Sequence, residues 1–448
     1  MDKLFKLKKN NTTVGTEILA GVTTFFAMAY IIFVNPNYLS ATGMNPAGVL
    51  FATCVAAAIG CFLTAFLANA PFAQAPGMGL NALFAFTVAT GAAGYGMGYS
   101  WQQGLAIVLI SGVLFLIVAL TPLRGKIISS IPASLKAAIG AGIGLFIAII
   151  GFINSGAGII RLDSASNITA LNLGSAAGGL NSAAMLTIIG VIVIAVLMAW
   201  KVKGAIFIGI IVCTLIGIPM GITQIPQDFS FSAEGLTSTV FQLDFTGLFD
   251  NIPLLLTAVI TFAIVDCFDT VGTLIGTAGN AGMLDENGNY PEGDKALIAD
   301  AVATCAGAVL GTSTVTTYVE SSTGISEGGR TGLTSAVVGV LFLIAIVLAP
   351  FVGIIPGAAT APALIIVGVL MMRSVTRIEW DDIEIAIPAF LTIAMMPFAY
   401  SISDGIGFGF ISYTIIKMSR GKFKEVPVLL YVLSALFIVM YVLKIINI

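Results

Sequence analysis

Histidine is absent from all 448 residues. With it go His-ligated metal sites, Ser–His and Cys–His nucleophiles, and proton relays through imidazole. Charge is the second scarcity: 19 Lys and Arg with 22 Asp and Glu make up 9% of the chain, where a soluble protein carries about a quarter. So few charges cannot cover a water-soluble domain, and they exclude a disordered chain and a nucleic-acid binder. Cysteine is sparse as well. Cys54, Cys61, Cys213, Cys267 and Cys305 lie scattered in apolar segments without CxxC spacing, the pattern of small buried thiols. The net charge of −3 carries little information, because in a membrane protein the placement of charge matters more than its sum.

What is present is apolar. Hydrophobic residues make up 58% of the chain, and its 50 glycines suit close helix packing in lipid. These features specify an all-α polytopic protein with the lipid bilayer as its solvent. A span needs about 20 apolar residues. Spans are expected at roughly 16–38, 46–70, 73–91, 101–121, 132–153, 183–200, 203–222, 252–277, 295–311, 313–328, 331–352, 360–374, 384–402 and 404–418. A further apolar stretch at about 426–446 spans the membrane, dips into it or lies on it. The N-terminus carries Lys3, Lys6, Lys8 and Lys9 without a signal-peptide cleavage pattern, so the first span is read as retained.

With the N-terminus in the cytoplasm, every Lys and Arg falls on the cytoplasmic side except Arg161, and Lys444 if the last segment spans. The loop from Gln224 to Asn251 holds Asp228, Glu234, Asp244 and Asp250 but no basic residue, as an external loop should. That loop divides about fourteen spans into seven and seven. An odd number per half forces the second half to insert upside down, which is an inverted repeat. Echoes between the halves are weak but correctly placed, as in Ile131-Pro-Ala-Ser-Leu135 and Thr360-Ala-Pro-Ala-Leu364.

Spans three and ten are the broken ones. Gln74-Ala-Pro-Gly-Met-Gly-Leu-Asn81 cannot start a regular helix. The β-branched run from Thr314 to Val319 reads as a short strand, with Ser321 and Ser322 placed to cap a half-helix after it. Interruptions at matched positions of two repeats point to a midplane binding site between half-helix N-termini. The bland alternative is that Gly and Pro serve only as packing kinks.

Carboxylates deep in a bilayer are costly unless they face a cavity or a partner. Asp266 and Asp269 lie midway along span eight, at i and i+3 on one helical face, and Glu320 lies at the strand-to-helix break. These three are read as the acids of the membrane's depth, with Asn81 as a polar companion after the break of span three. No basic residue is placed to pair with them, and an unpaired carboxyl at low dielectric is a natural place for reversible protonation. Either acid of span eight could instead hydrogen-bond backbone of the broken segments. Glu17 reads as a helix cap or interfacial residue, and Glu379, Asp381, Asp382 and Glu384 as a solvated cytoplasmic connection.

At these motifs the chain resembles the AzgA-like branch of the nucleobase–cation symporter-2 family. The likeness rests on Gln74–Asn81, on Asp266-Cys-Phe-Asp-Thr-Val-Gly-Thr-Leu274 and on Thr316-Thr-Tyr-Val-Glu-Ser-Ser-Thr-Gly324. The stretches Thr16–Tyr30 and Ile378–Asp382 are also typical of that branch. The resemblance implies a seven-plus-seven inverted repeat with a core domain (16–121 and 252–352) and a gate domain (132–222 and 360–418). A cytoplasmic N-terminus (1–15), an external loop (223–251) and a C-terminal segment (419–448) complete the chain.

The resemblance further implies import of hypoxanthine, guanine or adenine with protons across the cell membrane, often by a homodimer. No cofactor is implied beyond the coupling proton. By motif position Asp266, Glu320 and Asn81 are substrate-binding, while Asp269, Gln74, Thr270 and Ser321 are coupling or supporting. Two departures stand out. Other branches place a His in span eight, so coupling here would rest on carboxyls, and the stretch 426–446 exceeds the fourteen-span template. An uncoupled facilitator or an anion carrier of the same fold remains as an alternative. An intramembrane enzyme is disfavoured for want of His or a Ser–Lys pair.

Overall fold

In a computed structural model the two expected breaks meet as a pair of hydrogen-bonded strands, and the helices are arranged around them. The structure describes residues 2–89, 97–121, 131–153, 159–162, 168–171, 181–224, 233–280, 283, 290 and 293–446. Among the sequence expectations, Arg124, Lys126 and Asp228 lie outside this set.

After the short Asp2–Phe5 (α1), the first span is two helices, Val14–Met28 (α2) and Ile31–Ser40 (α3), joined by a turn at Ala29 and Tyr30. Thr13 caps α2 by accepting from the Thr16 N–H. Pro46–Leu63 (α4) starts with Asn45 as its cap and Pro46 in its first turn, where a missing N–H costs nothing. It runs into a π-turn at Thr64–Ala68 and stops at Asn69, whose φ of 47° is left-handed. Gln74–Pro76 (β1) and Met78–Ala82 (α5) make up the broken third span, and a π-turn at Leu83–Val88 extends it. Trp101–Leu120 (α6) opens with a reciprocal capping box of Ser100 and Gln103. Ala133–Ile153 (α7), Ser182–Ala199 (α8) and Ala205–Gly217 (α9) complete the first half. Between α7 and α8 stands a small hairpin of Ile160–Leu162 (β2) and Ile168–Leu171 (β3), which the sequence reading did not anticipate.

A short Ala233–Thr237 (α10) in the central loop leads to the second half. That half comprises Ile252–Asn280 (α11), Gly293–Leu310 (α12), the strand Val315–Thr317 (β4) with Ser321–Ser326 (α13), and Gly332–Ala345 (α14) continuing as a 3-10 stretch. Gly357–Met371 (α15), Ile383–Phe398 (α16) and Ile402–Ser419 (α17) follow. The order of elements therefore repeats, with the strand-and-half-helix third in each half, as an inverted repeat requires. The extra segment is the helix Val428–Ile446 (α18).

Among the described residues eight helices are long and apolar enough to cross a membrane, α4, α6, α7 and α8 among them. Of the others, α12 carries Asp294, Lys295 and Asp300, and α17 carries Asp404 and Lys417. Asp300 and Lys417 are buried by neighbouring helices, Asp404 is half-buried, and Asp294 and Lys295 are exposed at the start of α12. Large apolar side chains line the outside, Trp200 at 74% and Phe398 at 77% exposure, a surface suited to lipid and not to water.

The helices pack in two sets. In one, α4 lies against α12 and α14, α6 against α11 and α12, and α2 against α13 and α14. In the other, α7 lies against α15 and α16, α8 against α9 and α15, and α16 against α17. Small residues permit the close approach: a Cβ at Gly144 would lie 2.6 Å from Met371 Cβ, and one at Gly21 would lie 2.6 Å from Val337 Cβ. α18 buries Leu430, Leu433 and Phe437, packing on α17 and α11, while Val428 and Val432 face outward.

Candidate functional site

β1 and β4 run antiparallel, with Gln74 opposite Thr317, Ala75 opposite Thr316 and Pro76 opposite Val315. Their backbone is buried in protein, the condition under which non-helical chain is tolerated at membrane depth. Of the expected strand Thr314–Val319 only Val315–Thr317 pairs as β4, where β-branched side chains favour the extended conformation, while Val319 already lies in the turn into α13. Residues Thr312–Thr317 are all buried. Gly77 ends β1 and donates its N–H to the Thr314 carbonyl at 3.0 Å. A Cβ there would lie 2.5 Å from Thr316 Cγ2, so the crossing requires glycine. Each strand then feeds a half-helix, α5 after β1 and α13 after β4. Pairing continues at Tyr318, whose N–H bonds the Ala73 carbonyl at 3.0 Å and whose hydroxyl donates to the Pro76 carbonyl at 2.6 Å.

Glu320 is the N-cap residue of α13 and is half-buried. Its Oε1 accepts from the Tyr30 hydroxyl at 2.8 Å. Tyr30 occupies the turn between α2 and α3 and is itself buried. Asp269 of α11 is half-buried too and stands within electrostatic reach of both Glu320 and Tyr30. One turn earlier on α11, Asp266 is buried. Its Oδ2 accepts from the Thr304 hydroxyl at 3.2 Å, and its Oδ1 has no hydrogen-bond partner.

A fourth acid joins them. Asp300 of α12 is fully buried and lies close to Asp266. Its Oδ1 accepts from Gln74 Nε2 and from the Thr317 hydroxyl, each at 3.4 Å. The reading that Asp266, Asp269 and Glu320 are the acids of the membrane's depth is therefore incomplete. The signal was the same as in span eight, an acid between apolar residues in Ile298-Ala-Asp-Ala301, but its closeness to the polar loop masked it. Tyr30 had no signal at all, since an aromatic residue in an apolar span looks like any other.

Threonines tie these acids to the strands. Thr270 and Thr316 share a hydroxyl–hydroxyl bond at 2.7 Å. The one Thr304 hydroxyl hydrogen is shared between Asp266 Oδ2 and the Val315 carbonyl at 2.9 Å, and its oxygen accepts from the Val315 N–H at 3.2 Å. Thus α11 and α12 hold β4 by side chains, since a short strand of this kind has only one strand partner.

The predicted residues fall into separate groups. Glu320 and Asp269 share one environment with Tyr30. Asp266, Thr270 and Gln74 share another with Asp300. Asn81, fully buried, accepts from the Ser313 hydroxyl and approaches Met78 Sδ at 3.9 Å, tying α5 to the residues before β4 and meeting none of the acids. Ser321 does not cap α13. It is the first residue of that half-helix, and its hydroxyl accepts from the Ala73 N–H at 3.0 Å, while no side chain caps α13.

Two other expectations need correction. Glu17 is buried and caps a different helix from its own: its carboxylate accepts from the N–H groups of Arg330, Thr331 and Thr334 at 2.9–3.2 Å and from the Thr334 hydroxyl at 2.6 Å. An anion at these amides complements the α14 N-terminus. Glu384 is not solvated. With its side chain 5% exposed, it accepts from Lys417 and Lys422 at 2.8 Å and pairs with Arg420 at 3.1 Å.

Comparison with known proteins follows the same lines. A sequence model of the Permease family, Xan_ur_permease, matches residues 15–408. The adenine permease AdeQ of Escherichia coli (strain K12) is 42% identical over 439 residues, 98% of this chain and 95% of that protein. The guanine/hypoxanthine permease PbuG of Bacillus subtilis (strain 168) is 42% identical over 453 residues, 99% of each chain. Among solved structures, the transmembrane domain of a cyanobacterium bicarbonate transporter, BicA, superposes with a TM-score of 0.65. At 15% identity it covers 87% of this chain and 97% of its own, a likeness of fold.

Proposed function

The chain belongs to this permease family, and from that membership we propose that it imports purine nucleobases across the cytoplasmic membrane by proton symport. The observation that carries the reading is the set of acceptors at the strand crossing: Glu320 held by Tyr30, Asp269 beside it, and Asp266 with an unused Oδ1. Neutral purines present ring N–H and exocyclic amino donors to such acceptors. Recognition falls to these side chains, because the first N–H groups of the half-helix after β4, those of Ser321, Ser322 and Thr323, already bond the Tyr318, Val319 and Glu320 carbonyls. Names of relatives that are 42% identical, adenine and guanine/hypoxanthine permeases, agree with that chemistry.

In this reading Glu320 and Asp266 contact the base and Asn81 lines the break of span three. Asp269 acts through Glu320, and Gln74, Thr270 and Ser321 hold the strands. The α2–α6 and α11–α14 set is the core, and the α7–α9 and α15–α17 set is the gate against which it moves. Where the sets meet, Phe86 and Phe146 both pack edge-on to Tyr400 at 5.9 and 5.3 Å between centroids, aromatic faces suited to a planar ring. A pocket of hydrogen-bonding groups discriminates strongly against analogues that lack a donor, because a buried acceptor is then left unpaired.

The shared fold with a bicarbonate transporter brings the anion carrier to mind. An anion would need a cation at the break, and the acid at Glu320 disfavours it. The test is uptake of radiolabelled adenine, guanine and hypoxanthine in a host lacking purine transport, with and without a protonophore. Concentrative uptake that collapses with the proton gradient and is lost in Glu320→Gln and Asp266→Asn is expected. Unchanged uptake in the doubly substituted protein would overturn the site, and indifference to the protonophore would overturn the coupling.

A further inference from the structure

Gln74 and Asp300 are joined by one hydrogen bond, Nε2–H to Oδ1 at 3.4 Å. The other oxygen of each group, Gln74 Oε1 and Asp300 Oδ2, is buried without a hydrogen bond, the nearby Thr270 hydroxyl being bonded to Thr316. Both residues are fully buried. Two orphaned acceptors on one bonded pair are unusual, since most buried polar atoms find a partner. Both are satisfied by a single donor hydrogen, because a carboxylic acid can accept from a carboxamide N–H and donate its own O–H to the amide oxygen.

We propose that Asp300 carries a proton on Oδ2 and donates it to Gln74 Oε1, so that this acid–amide pair is the proton-holding site, separate from the carboxyls that meet the base. The inference builds on the proposed proton symport and adds Asp300, which the sequence motifs do not single out, as the partner of Gln74. The surroundings support it. The ionisable groups facing Asp300 are Asp266, Asp269 and Cys267 of α11, and Lys136 of α7 reaches Cys267 but pairs with neither Asp266 nor Asp300. Among the helices packed on α12, α4 brings only the thiols Cys54 and Cys61, and α6 brings nothing ionisable; β4 adds none. Among the described residues no Lys or Arg pairs with Asp300 or Asp266. Two buried carboxylates without a cation are costly, and one proton relieves that cost. Gly60 keeps the site compact: a Cβ there would lie 2.6 Å from Gln74 Oε1 and 3.2 Å from Ala303 Cβ on α12. The pair also joins β1 to α12, so a change in protonation is felt at the strand crossing. On release to the cytoplasm the proton leaves Oδ2, and the loss of its bond to Oε1 loosens that joint.

Asp300→Asn tests the assignment, because Asn keeps both hydrogen bonds of the neutral pair and removes the titration. Purified protein in liposomes is compared with the wild type in three measurements. In the first, infrared spectra should show a protonated-carboxyl C=O band in the wild type that Asp300→Asn lacks, and this needs no substrate. In the second and third, purine exchange between equal pools should persist in Asp300→Asn while purine-driven proton uptake is lost. A band that survives in Asp300→Asn, or proton uptake that continues, would overturn the site. Loss of exchange in folded protein would overturn it as well, since the neutral pair should be tolerated. If Asp300→Asn does not fold, Gln74→Met decides. It removes the acceptor and should move the band to higher frequency, and an unmoved band refutes the pairing. Failure of all purine transport with the infrared result intact would instead count against the proposed substrate.

Discussion

The Tyr30 hydroxyl and the Glu320 carboxylate lie 290 positions apart in the chain and 2.8 Å apart in space. A hydrogen bond to a charged group contributes about 1.5–3 kcal/mol, so its removal leaves a half-buried acceptor unpaired. Tyr30→Phe should weaken apparent affinity for the base by about tenfold or more with normal amounts of protein in the membrane, as read from uptake kinetics. Unchanged kinetics would show that the bond does not position Glu320. Glu17 makes a different kind of contact. Its carboxylate answers three amides at the start of α14, and caps of this kind are worth about 0.5–2 kcal/mol. Glu17→Ala should therefore lower the melting temperature in detergent, while Glu17→Gln, which keeps an acceptor, should lower it less. Equal melting of all three proteins would refute the capping role.

At the scale of elements, the strand crossing depends on what is missing at Gly77. With 2.5 Å between a new Cβ and Thr316 Cγ2, Gly77→Ala must push β1 from β4, and overpacking of this sort costs about 1–3 kcal/mol. The expected result is lost uptake in a protein that still reaches the membrane. Wild-type uptake would mean that the strands need not touch. The two breaks were legible in the sequence because Pro76, Gly77 and the β-branched run after Thr314 are local signals. The use of Ser321 was not legible, since a serine at a helix start has two partners to choose from. It bonds Ala73 of the opposite strand and leaves α13 uncapped. Glu384 misled for a similar reason. In sequence it belongs to an acidic connection, but the α16–α17 hairpin brings Lys417 onto it and buries both. Glu384→Gln should leave Lys417 without its buried partner and lower thermal stability with little effect on substrate affinity.

At the scale of the molecule, the two helix sets face each other across few contacts, one of them α5 against α7. A Cβ at Gly79 would lie 3.9 Å from that of Ile143, within the range of a disulfide. If the sets move against each other during transport, Gly79→Cys with Ile143→Cys should lose uptake on oxidation and regain it with reductant. Uptake that continues through a complete cross-link would exclude relative motion at this point.

Composition alone settled the bilayer as solvent, because 9% charge cannot be spread over a soluble surface. Apolar length and the local break residues determined the repeat and its two interrupted spans, since helix, strand and breaker preferences act over a few neighbouring residues. Only the tertiary structure decided which polar groups meet. Tyr30, Gln74, Asp266, Asp300 and Glu320 come from five separate elements. No local rule pairs them; low dielectric does, by favouring a partner for a buried donor or acceptor wherever the packed helices bring one, and it leaves Asp266 Oδ1 and Asp300 Oδ2 as the costly exceptions.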